Sequence, residues 1–247
     1  MARMKFMNTE IDNLTMQETL QAIDQLIREN KSAYVVTPNV DHIVQLETNK
    51  ELQAVYKNAS LILTDGKPLL WIANWYGTPI KEKISGSDLF PLLCKMAAEK
   101  GYKMFFLGAA EGVAAKAAEN LMNRFKGLQV TGTYSPPFGF EKDPVEMDKI
   151  KSMIKASGAD ILIVGLGCPK QEKFMYHHCA ELGVPISFGL GASFDLEAGN
   201  IKRAPRWMAN HGLEWLFRIT QDPKRMAKRY LVDDRKIFGL AIKYRRR

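Results

Sequence analysis

Short apolar runs alternate with helical patterns along most of the chain, and this alternation limits the fold more than any other feature. Six strands are predicted from these runs, near 34–37, 61–64, 103–107, 129–134, 160–164 and 185–188. A further short strand is predicted near 5–7. Strands that alternate with helices form βαβ units, which build a mostly parallel sheet with helices on both faces. The predicted fold class is therefore α/β.

Helical patterns fill the segments between the strands. A capping box formed by Thr15 and Glu18 begins the first helix. Further helices are predicted at 41–48, 50–58, 68–75, 88–99, 112–125, 144–156 and 170–182. After about residue 203 only helical patterns remain. The sequence therefore predicts two domains, an α/β body at 1–202 and a helical appendage at 203–247.

The positive charge of the chain is concentrated in the appendage. The net charge is +8, and residues 218–247 account for all of it, with eleven Lys or Arg and three Asp. Met226, Tyr230, Leu231, Ile237 and Phe238 are interleaved with these basic residues. A basic amphipathic segment suits nucleic acid or an anionic membrane surface, and a solvated charged face is the simpler alternative.

Composition narrows the class of protein. The 247 residues are 46% hydrophobic and 25% charged, which is typical of globular proteins and excludes disorder and a disulfide scaffold. No apolar run reaches the roughly 18 residues of a membrane span, and no apolar signal segment follows the N-terminus. The three cysteines form no CxxC motif and fit a reducing compartment. We therefore expect a cytoplasmic protein.

Ligand-binding residues are expected beyond the carboxyl ends of parallel strands. Asp65 follows the second main strand, where a carboxylate can accept the proton of an attacking hydroxyl or cap the next helix. Thr37 and Asn39 are candidates for hydrogen bonds to a sugar or for turn formation. Asp195 is a candidate for a ribose contact or for ending a strand.

Glycine-rich turns follow several of the same strands, at 108–112, 165–167 and 189–191. Such turns expose backbone N–H groups at the start of a helix, where they can bind phosphate. The alternative is that glycine only permits tight turns between a strand and a helix. Several turns around one crevice favour a phosphate-bearing ligand.

Common cofactor and metal motifs fit poorly. Gly165 and Gly167 begin a GxGxxG pattern, but Lys170 occupies its third glycine position. There is no P-loop, no GxSxG nucleophile elbow and no Asp-x-Asp motif. His177 and His178 are adjacent, so on a helix they point in different directions. We therefore expect no cofactor and no protein-bound metal.

The strand-end residues belong to a set of motifs that spans most of the chain. The motifs are Thr37-Pro38-Asn39, Thr64-Asp65-Gly66, Ser85-Gly86-Ser87-Asp88-Leu89, Ser135-Pro136-Pro137-Phe138, Gly167-Cys168-Pro169-Lys170-Gln171-Glu172, Gly191-Ala192-Ser193-Phe194-Asp195, Arg203-Ala204-Pro205-Arg206-Trp207, Gly212-Leu213-Glu214-Trp215-Leu216-Phe217-Arg218 and Asp222-Pro223-Lys224-Arg225. Through them the chain resembles the WecG/TagA/CpsF family of bacterial glycosyltransferases, above all its TagA branch.

The resemblance implies a Rossmann-like core, a mobile helical lid and a metal-independent inverting transferase that uses a UDP-sugar. In the TagA branch, N-acetylmannosamine passes from UDP-ManNAc to undecaprenyl-diphosphate-linked GlcNAc in the linkage unit of wall teichoic acid. Other branches transfer ManNAc uronic acid or other sugars into other polysaccharides. The expected partners are the UDP-sugar, the lipid-linked acceptor and an anionic membrane surface, with the enzyme peripheral on the inner face of the cell membrane.

The resemblance also implies roles for individual residues. Asp65 matches the general base, and Arg218 and Arg225 match appendage arginines that complete the active site. Lys228 falls near a third such position, with Arg229 beside it. From the resemblance and the strand ends together, the predicted substrate-binding residues are Thr37, Asn39, Lys83, Gly108, Gln171 and Asp195. Lys83 stands where the TagA pattern has Arg, and a lysine lacks the bidentate fork that arginine offers a diphosphate.

Two other classes of function compete with this interpretation. A nucleic-acid-binding protein with a basic arm rests on the charge of the appendage alone. A noncatalytic nucleotide-binding module would give no role to Asp65. The apolar residues of the appendage also leave a homo-oligomer open.

Overall fold

The computed structural model describes residues 3–205, 207–208 and 211–245, without the side chain of Arg225. Its strands are β1 (Arg3–Phe6), β2 (Thr9–Asp12), β3 (Ala33–Val36), β4 (Leu61–Ile62), β5 (Lys103–Gly108), β6 (Gln129–Tyr134), β7 (Ile161–Gly165) and β8 (Ile186–Gly189). Strands β3 to β8 form one parallel sheet in the spatial order β4-β3-β8-β7-β5-β6. The six predicted main strands and the α/β class are therefore confirmed.

Helices connect the strands and continue into the appendage. They are α1 (Met16–Glu29), α2 (Val40–Leu46), α3 (Lys50–Asn58), α4 (Lys67–Trp75), α5 (Gly86–Lys100), α6 (Val113–Arg124), α7 (Pro144–Ser157), α8 (Lys170–Leu182), α9 (Gly191–Ala198), α10 (Glu214–Gln221), α11 (Pro223–Lys228) and α12 (Lys236–Arg245), with a 3₁₀ turn at Phe140–Lys142 and a π-helical turn at Arg229–Asp233. The predicted capping box is present, because Thr15 Oγ1 accepts from the Glu18 N–H and Glu18 Oε2 accepts from the Thr15 N–H.

Each face of the sheet has its own apolar layer. Along β7, Leu162 and Val164 belong to one layer while Ile161 and Ile163 belong to the other, as the two-residue period of a strand requires. The first layer packs against α2, α3, α4, α7, α8 and α12, and the second against α1, α5, α6 and α9. Helices therefore cover both faces, and the carboxyl ends of the strands are left to form a site.

Helix α9 follows β8 in a segment for which the sequence analysis gives no helix bounds. Its Phe194 is fully buried and packs edge-on against Phe90, with the ring centroids 5.6 Å apart. Aromatic pairs of this geometry contribute about 0.5–1.5 kcal/mol beyond the area they bury. Tertiary packing thus stabilises a helix that begins with Gly191.

A separate antiparallel hairpin of β1 and β2 replaces the single first strand that the sequence predicts. Asp12 joins this hairpin to the edge of the main sheet, because its Oδ2 accepts from the Ile62 N–H at 2.8 Å. Arg3 donates to Asp12 and also to the carbonyl of Ala59 at 2.9 Å. The hairpin therefore satisfies backbone groups at the β4 edge.

The appendage packs back onto the α/β body through α12. Ile237 and Ala241 are buried there, and the Tyr76 hydroxyl donates to the Ala241 carbonyl at 2.7 Å. The Tyr244 hydroxyl donates to Glu47 on the body at 3.0 Å. Within the described ranges, no helix is both long enough and apolar enough to cross a membrane.

Candidate active site

A cleft of about 1320 Å³ opens at the carboxyl ends of the sheet, between the α/β body and the appendage. The sequence-predicted residues that line it are Thr37, Asn39, Asp65, Lys83, Gln171, Asp195 and Arg218. Gly108 does not line the cleft, because its Cα lies against the carbonyl of Gly165, and Ala109 takes its place. The side chain of Arg225 lies outside the described residues.

Asp65 presents a partly buried carboxylate to the cleft. Its N–H donates to the Pro38 carbonyl at 2.8 Å, which ties the segment after β4 to the end of β3. The N-cap of α4 is Gly66 without a side-chain cap, so Asp65 does not serve as the helix cap that the sequence left open. Burial raises the pKa of Asp65 to about 6, against the opposing effect of the Arg218 and Lys83 cations. This carboxylate is ionised at neutral pH and basic enough to accept a proton.

Arg218 reaches the cleft from α10 and is held by a neighbour on the same helix. Its Nε and Nη2 donate to Glu214 Oε1 at 3.2 and 2.6 Å. Burial opposes the charge of Arg218, but Glu214, Tyr230 and Asp65 together raise its pKa above the ordinary value. The appendage therefore places a permanent cation in the field of Asp65, and Glu214 limits how far that cation lowers the pKa of Asp65.

Asn39 both caps a helix and lines the cleft, so the two alternatives from the sequence are compatible. Its Oδ1 accepts from the N–H of His42 at 3.4 Å, which begins α2. The same oxygen accepts from Arg229 Nη2 at 3.1 Å. Arg229 Nη2 also lies 3.6 Å from Asp41 Oδ2. The appendage thus contacts the start of α2 through one arginine.

A buried ion pair between His42 and Glu172 holds Asn39 and Gln171 in place. His42 Nδ1 lies 2.8 Å from Asn39 Oδ1, and His42 Nε2 lies 3.3 Å from Glu172 Oε1. Burial alone would lower the pKa of His42, but its contacts with Cys168 and Glu172 outweigh burial and raise that pKa well above the ordinary value. Gln171 Nε2 donates to the same Glu172 oxygen at 2.8 Å. His42 therefore orients Asn39, while Glu172 orients Gln171.

The same residues form the candidate metal ligands of the described part of the chain. The ligand atoms of His42, Cys168 and Glu172 lie within 4.8 Å of one another, a grouping that the sequence analysis missed. Both ring nitrogens of His42 already have hydrogen-bond partners, because Nδ1 lies beside the N–H and Oδ1 of Asn39 and Nε2 lies beside Glu172 Oε1. The geometry therefore fits a hydrogen-bonded ion pair better than a metal centre.

Glycines allow Gln171 to lie inside the sheet edge. A Cβ at Gly189 would lie 2.8 Å from Gln171 Nε2, and a Cβ at Gly191 would lie 2.9 Å from Gln171 Oε1. A Cβ at Gly165 would lie 2.5 Å from the ring of Phe194. Close packing of side chains is therefore a sufficient reason for these three glycines, beyond the turns they form.

One rim of the cleft carries two cations around one carboxylate. Lys83 Nζ lies 3.1 Å from Asp88 Oδ2, and Arg203 forms an ion pair with the other oxygen of Asp88. Burial opposes the charge of Asp88, but Ser85, Lys83 and Arg203 lower its pKa below the ordinary value. This rim therefore offers positive charge to an anionic ligand.

Comparison with known proteins adds the family to this geometry. The model of the Glycosyl transferase WecG/TagA/CpsF family matches residues 4–247. The chain belongs to this glycosyltransferase family. One relative, the N-acetylglucosaminyldiphosphoundecaprenol N-acetyl-beta-D-mannosaminyltransferase of Bacillus spizizenii (strain ATCC 23059 / NRRL B-14472 / W23), is 33% identical over 223 residues, which cover 90% of this chain and 83% of the relative. A protein of the same name from Bacillus subtilis (strain 168) is 30% identical over 203 residues, covering 82% of this chain and 75% of the relative.

Asp195 lines the cleft, as the sequence predicts, but one of its two predicted roles is wrong. It does not end a strand, because it lies within α9, where its Oδ1 accepts from Asn200 at 3.3 Å. His42 and Glu172 carried no sequence prediction as ligand-binding or positioning groups, and Arg229 was named only as the neighbour of Lys228 near a third appendage position. Glu172 ends the Gln171 motif, and His42 follows the Asn39 motif by three residues, but nothing in either motif indicates that the two side chains pair.

Proposed function

We propose that this glycosyltransferase moves N-acetylmannosamine from UDP-ManNAc to undecaprenyl-diphosphate-linked GlcNAc, with inversion at the anomeric carbon and without a metal ion. Two relatives are named for N-acetylmannosamine transfer to this lipid-linked GlcNAc. The observation that carries the proposal is Asp65, a cleft carboxylate whose pKa of about 6 suits a general base.

The proposed reaction is a single displacement. The acceptor hydroxyl oxygen attacks the anomeric carbon from the face opposite UDP, while Asp65 accepts the hydroxyl proton. The new carbon–oxygen bond forms as the bond to the diphosphate breaks, and UDP leaves with the bonding electrons. Asn39 and Gln171, oriented by the buried His42–Glu172 pair, would hold the sugar.

Positive charge is needed where the diphosphate leaves, because negative charge grows there in the transition state. Arg218 reaches the cleft from the appendage, and Lys83 and Arg203 lie at its rim. We assign to Arg225 the same role of stabilising the charge on the leaving diphosphate. These cations support a metal-independent mechanism, and the absence of an Asp-x-Asp motif agrees with it.

The appendage has two proposed roles in this scheme. Residues 1–202 would bind the nucleotide-sugar, and residues 203–247 would close over it and hold the enzyme on the anionic inner face of the membrane. The net charge of +8 in residues 218–247 supports membrane attraction, since each basic residue near an anionic leaflet contributes about 1 kcal/mol. Arg218 and Arg229, which contact the site from the appendage, support the closing role.

UDP release tests the proposed reaction. The purified protein is offered UDP-ManNAc, UDP-ManNAc uronic acid, UDP-GlcNAc or UDP-glucose with a short-chain prenyl-diphosphate-GlcNAc acceptor. We expect acceptor-dependent release from UDP-ManNAc alone, and β-linked product by NMR. If UDP is released from a different UDP-sugar, that sugar is the donor and the proposed donor is wrong. If UDP is released from none of them, the proposed transfer reaction is contradicted.

A matched pair of variants tests the closing role. Arg218→Ala and Arg235→Ala each remove one of the eleven basic charges of residues 218–247. We expect the first to lose turnover with a water-soluble acceptor and the second to keep it, while both keep most of the affinity for anionic vesicles. Equal turnover of the two variants would contradict a role for Arg218 in the site.

A further inference from the structure

Helix α4 carries a stripe of three residues that leads out of the cleft. Lys67, Trp71 and Trp75 are spaced four residues apart, so they lie along the same side of the helix. Lys67 lines the cleft. A helix rises 1.5 Å per residue, so the stripe extends about 12 Å from the cleft along the surface.

The two tryptophans of the stripe remain exposed although the appendage touches both. Trp71 is 54% exposed and Trp75 is 44% exposed. The ring of Trp71 lies against Gly212, where an added methyl would come within 2.6 Å of it. The guanidinium of Arg245 lies 4.2 Å from the ring centroid of Trp75. The stripe is therefore framed by the appendage and open to the outside.

The chemistry of this surface fits the headgroup region of a bilayer. Tryptophan combines a large apolar ring with one polar N–H, and it is enriched where membranes meet water. The helix that reaches Trp75, α12, also exposes Phe238 and Ile242. Residues 218–247 of the surrounding appendage carry a net charge of +8, which complements an anionic leaflet.

We propose that Trp71 and Trp75 insert into the headgroup region of an anionic bilayer and thereby turn the Lys67 end of the cleft toward the membrane. This inference rests on the proposed lipid-linked acceptor, whose diphosphate lies at the depth of the headgroups. The basic residues attract the protein from a distance, and the two rings set its orientation once it arrives. Acceptor diphosphate would then enter the cleft beside Lys67 without leaving the surface.

Vesicle binding by tryptophan variants tests the proposal. The full chain, Trp71→Ala, Trp75→Ala and the double variant are sedimented with vesicles of phosphatidylglycerol and phosphatidylcholine. The double variant should bind at least about tenfold more weakly, because each ring would lose its apolar transfer into lipid. This difference should persist at high salt, which screens only the basic residues.

Phe138→Ala is the matched control. Phe138 is fully exposed and lies beside Lys170, whose Nζ is 4.8 Å from the ring centroid. It follows β6, at the opposite edge of the sheet from β4 and α4. We expect this variant to bind vesicles as the unaltered protein does, and an equal loss in it would contradict a surface specific to α4.

A second pair of measurements separates this inference from the proposed function. Trp71→Tyr with Trp75→Tyr keeps aromatic rings with a polar tip, so it should recover most of the vesicle binding. Bromine-labelled lipids should quench the tryptophan emission of the unaltered protein more than that of the Tyr variant. Turnover of a water-soluble acceptor should be the same in all variants.

Each outcome decides one question. If the protein binds vesicles and the Trp variants bind equally well, the stripe is not the membrane contact. A concentration-dependent dimer lost with the same variants, and no change on vesicles, would assign the stripe to a second copy of the chain instead. If no protein binds anionic vesicles, the membrane role of the proposed function fails, while the transfer reaction is still judged by UDP release.

Discussion

Replacing Asp65 by Asn is expected to make the protein more stable and far less active. Burial raises the pKa of this carboxyl from 3.8 to about 6. Between those two pH values the folded protein retains a proton that the unfolded chain has lost, so stability falls as the pH rises through this window. Above about pH 6 the protein has lost all of the stability that this titration removes. A tenfold change in proton affinity corresponds to about 1.4 kcal/mol, so ionised Asp65 costs the folded protein about 3 kcal/mol.

Asparagine mimics the neutral carboxyl and avoids this cost. Urea unfolding at pH 7.5 should therefore show Asp65→Asn to be up to about 3 kcal/mol more stable than the unaltered protein. At pH 4 the difference should be less than about 1 kcal/mol. Turnover should fall by roughly 100-fold or more, the usual scale for a lost general base, while UDP still binds.

Asp88→Asn supplies a control of opposite sign. Ser85 and Lys83 lower the pKa of Asp88 against the effect of burial. Its charge therefore stabilises the folded protein above the pH range where a free carboxyl titrates, and this stabilisation is lost as the pH falls through the lowered pKa. The Asp88 variant should be less stable than the unaltered protein at pH 7.5. If Asp65→Asn is no more stable than the unaltered protein at that pH, the destabilising charge assigned to Asp65 is wrong. If it turns over normally, Asp65 is not the general base.

Four further outcomes are expected. The kcat/KM should fall about tenfold for each pH unit below about pH 6. Arg218→Ala should raise the pKa of Asp65, followed by NMR titration of its carboxyl carbon, because the Arg218 cation lowers that pKa; an unchanged titration would show that Arg218 does not act on Asp65. Glu172→Gln should cost about 3–5 kcal/mol in urea unfolding, since it leaves a buried His42 charge without its partner; a variant of normal stability would mean that His42 is neutral. Turnover should survive exhaustive EDTA treatment, and a loss that Mg²⁺ or Mn²⁺ restores would require a metal at the diphosphate.

The parallel sheet could be predicted because its strands are buried on both faces. Such strands appear as continuous apolar runs, and the helices between them keep a separate period. The β1–β2 hairpin and α9 could not be predicted in this way. Asn8 is a turn residue of the hairpin, but Met7 precedes it with a φ of 50°, which few side chains adopt. Helix α9 depends on the burial of Phe194 against Phe90, a contact between distant segments.

Most residues of the cleft could be predicted from their position at the ends of strands, because of the topology of the sheet. The carboxyl ends of parallel strands meet at one edge, so Thr37, Asn39, Asp65 and Gln171 converge although they are far apart in sequence. The positioning pair was not predictable, because His42 and Glu172 are separated by 130 residues and meet only in the folded chain, where the first turn of α2 approaches the first turn of α8. The raised pKa of Asp65 likewise depends on burial, which no local pattern encodes.

The glycines around Gln171 have a consequence for how this enzyme can diversify. A methyl group added at Gly165, Gly189 or Gly191 would lie less than 3 Å from a neighbouring side-chain atom and would collide with it. A side chain at any of the three would therefore displace Gln171 or Phe194, so reshaping this inner wall disturbs a residue of the site. Lys83 and Arg203, by contrast, approach the cleft on long side chains from the rim. Adaptation to a different sugar is expected to begin there, one flexible side chain at a time, while the inner wall stays the same.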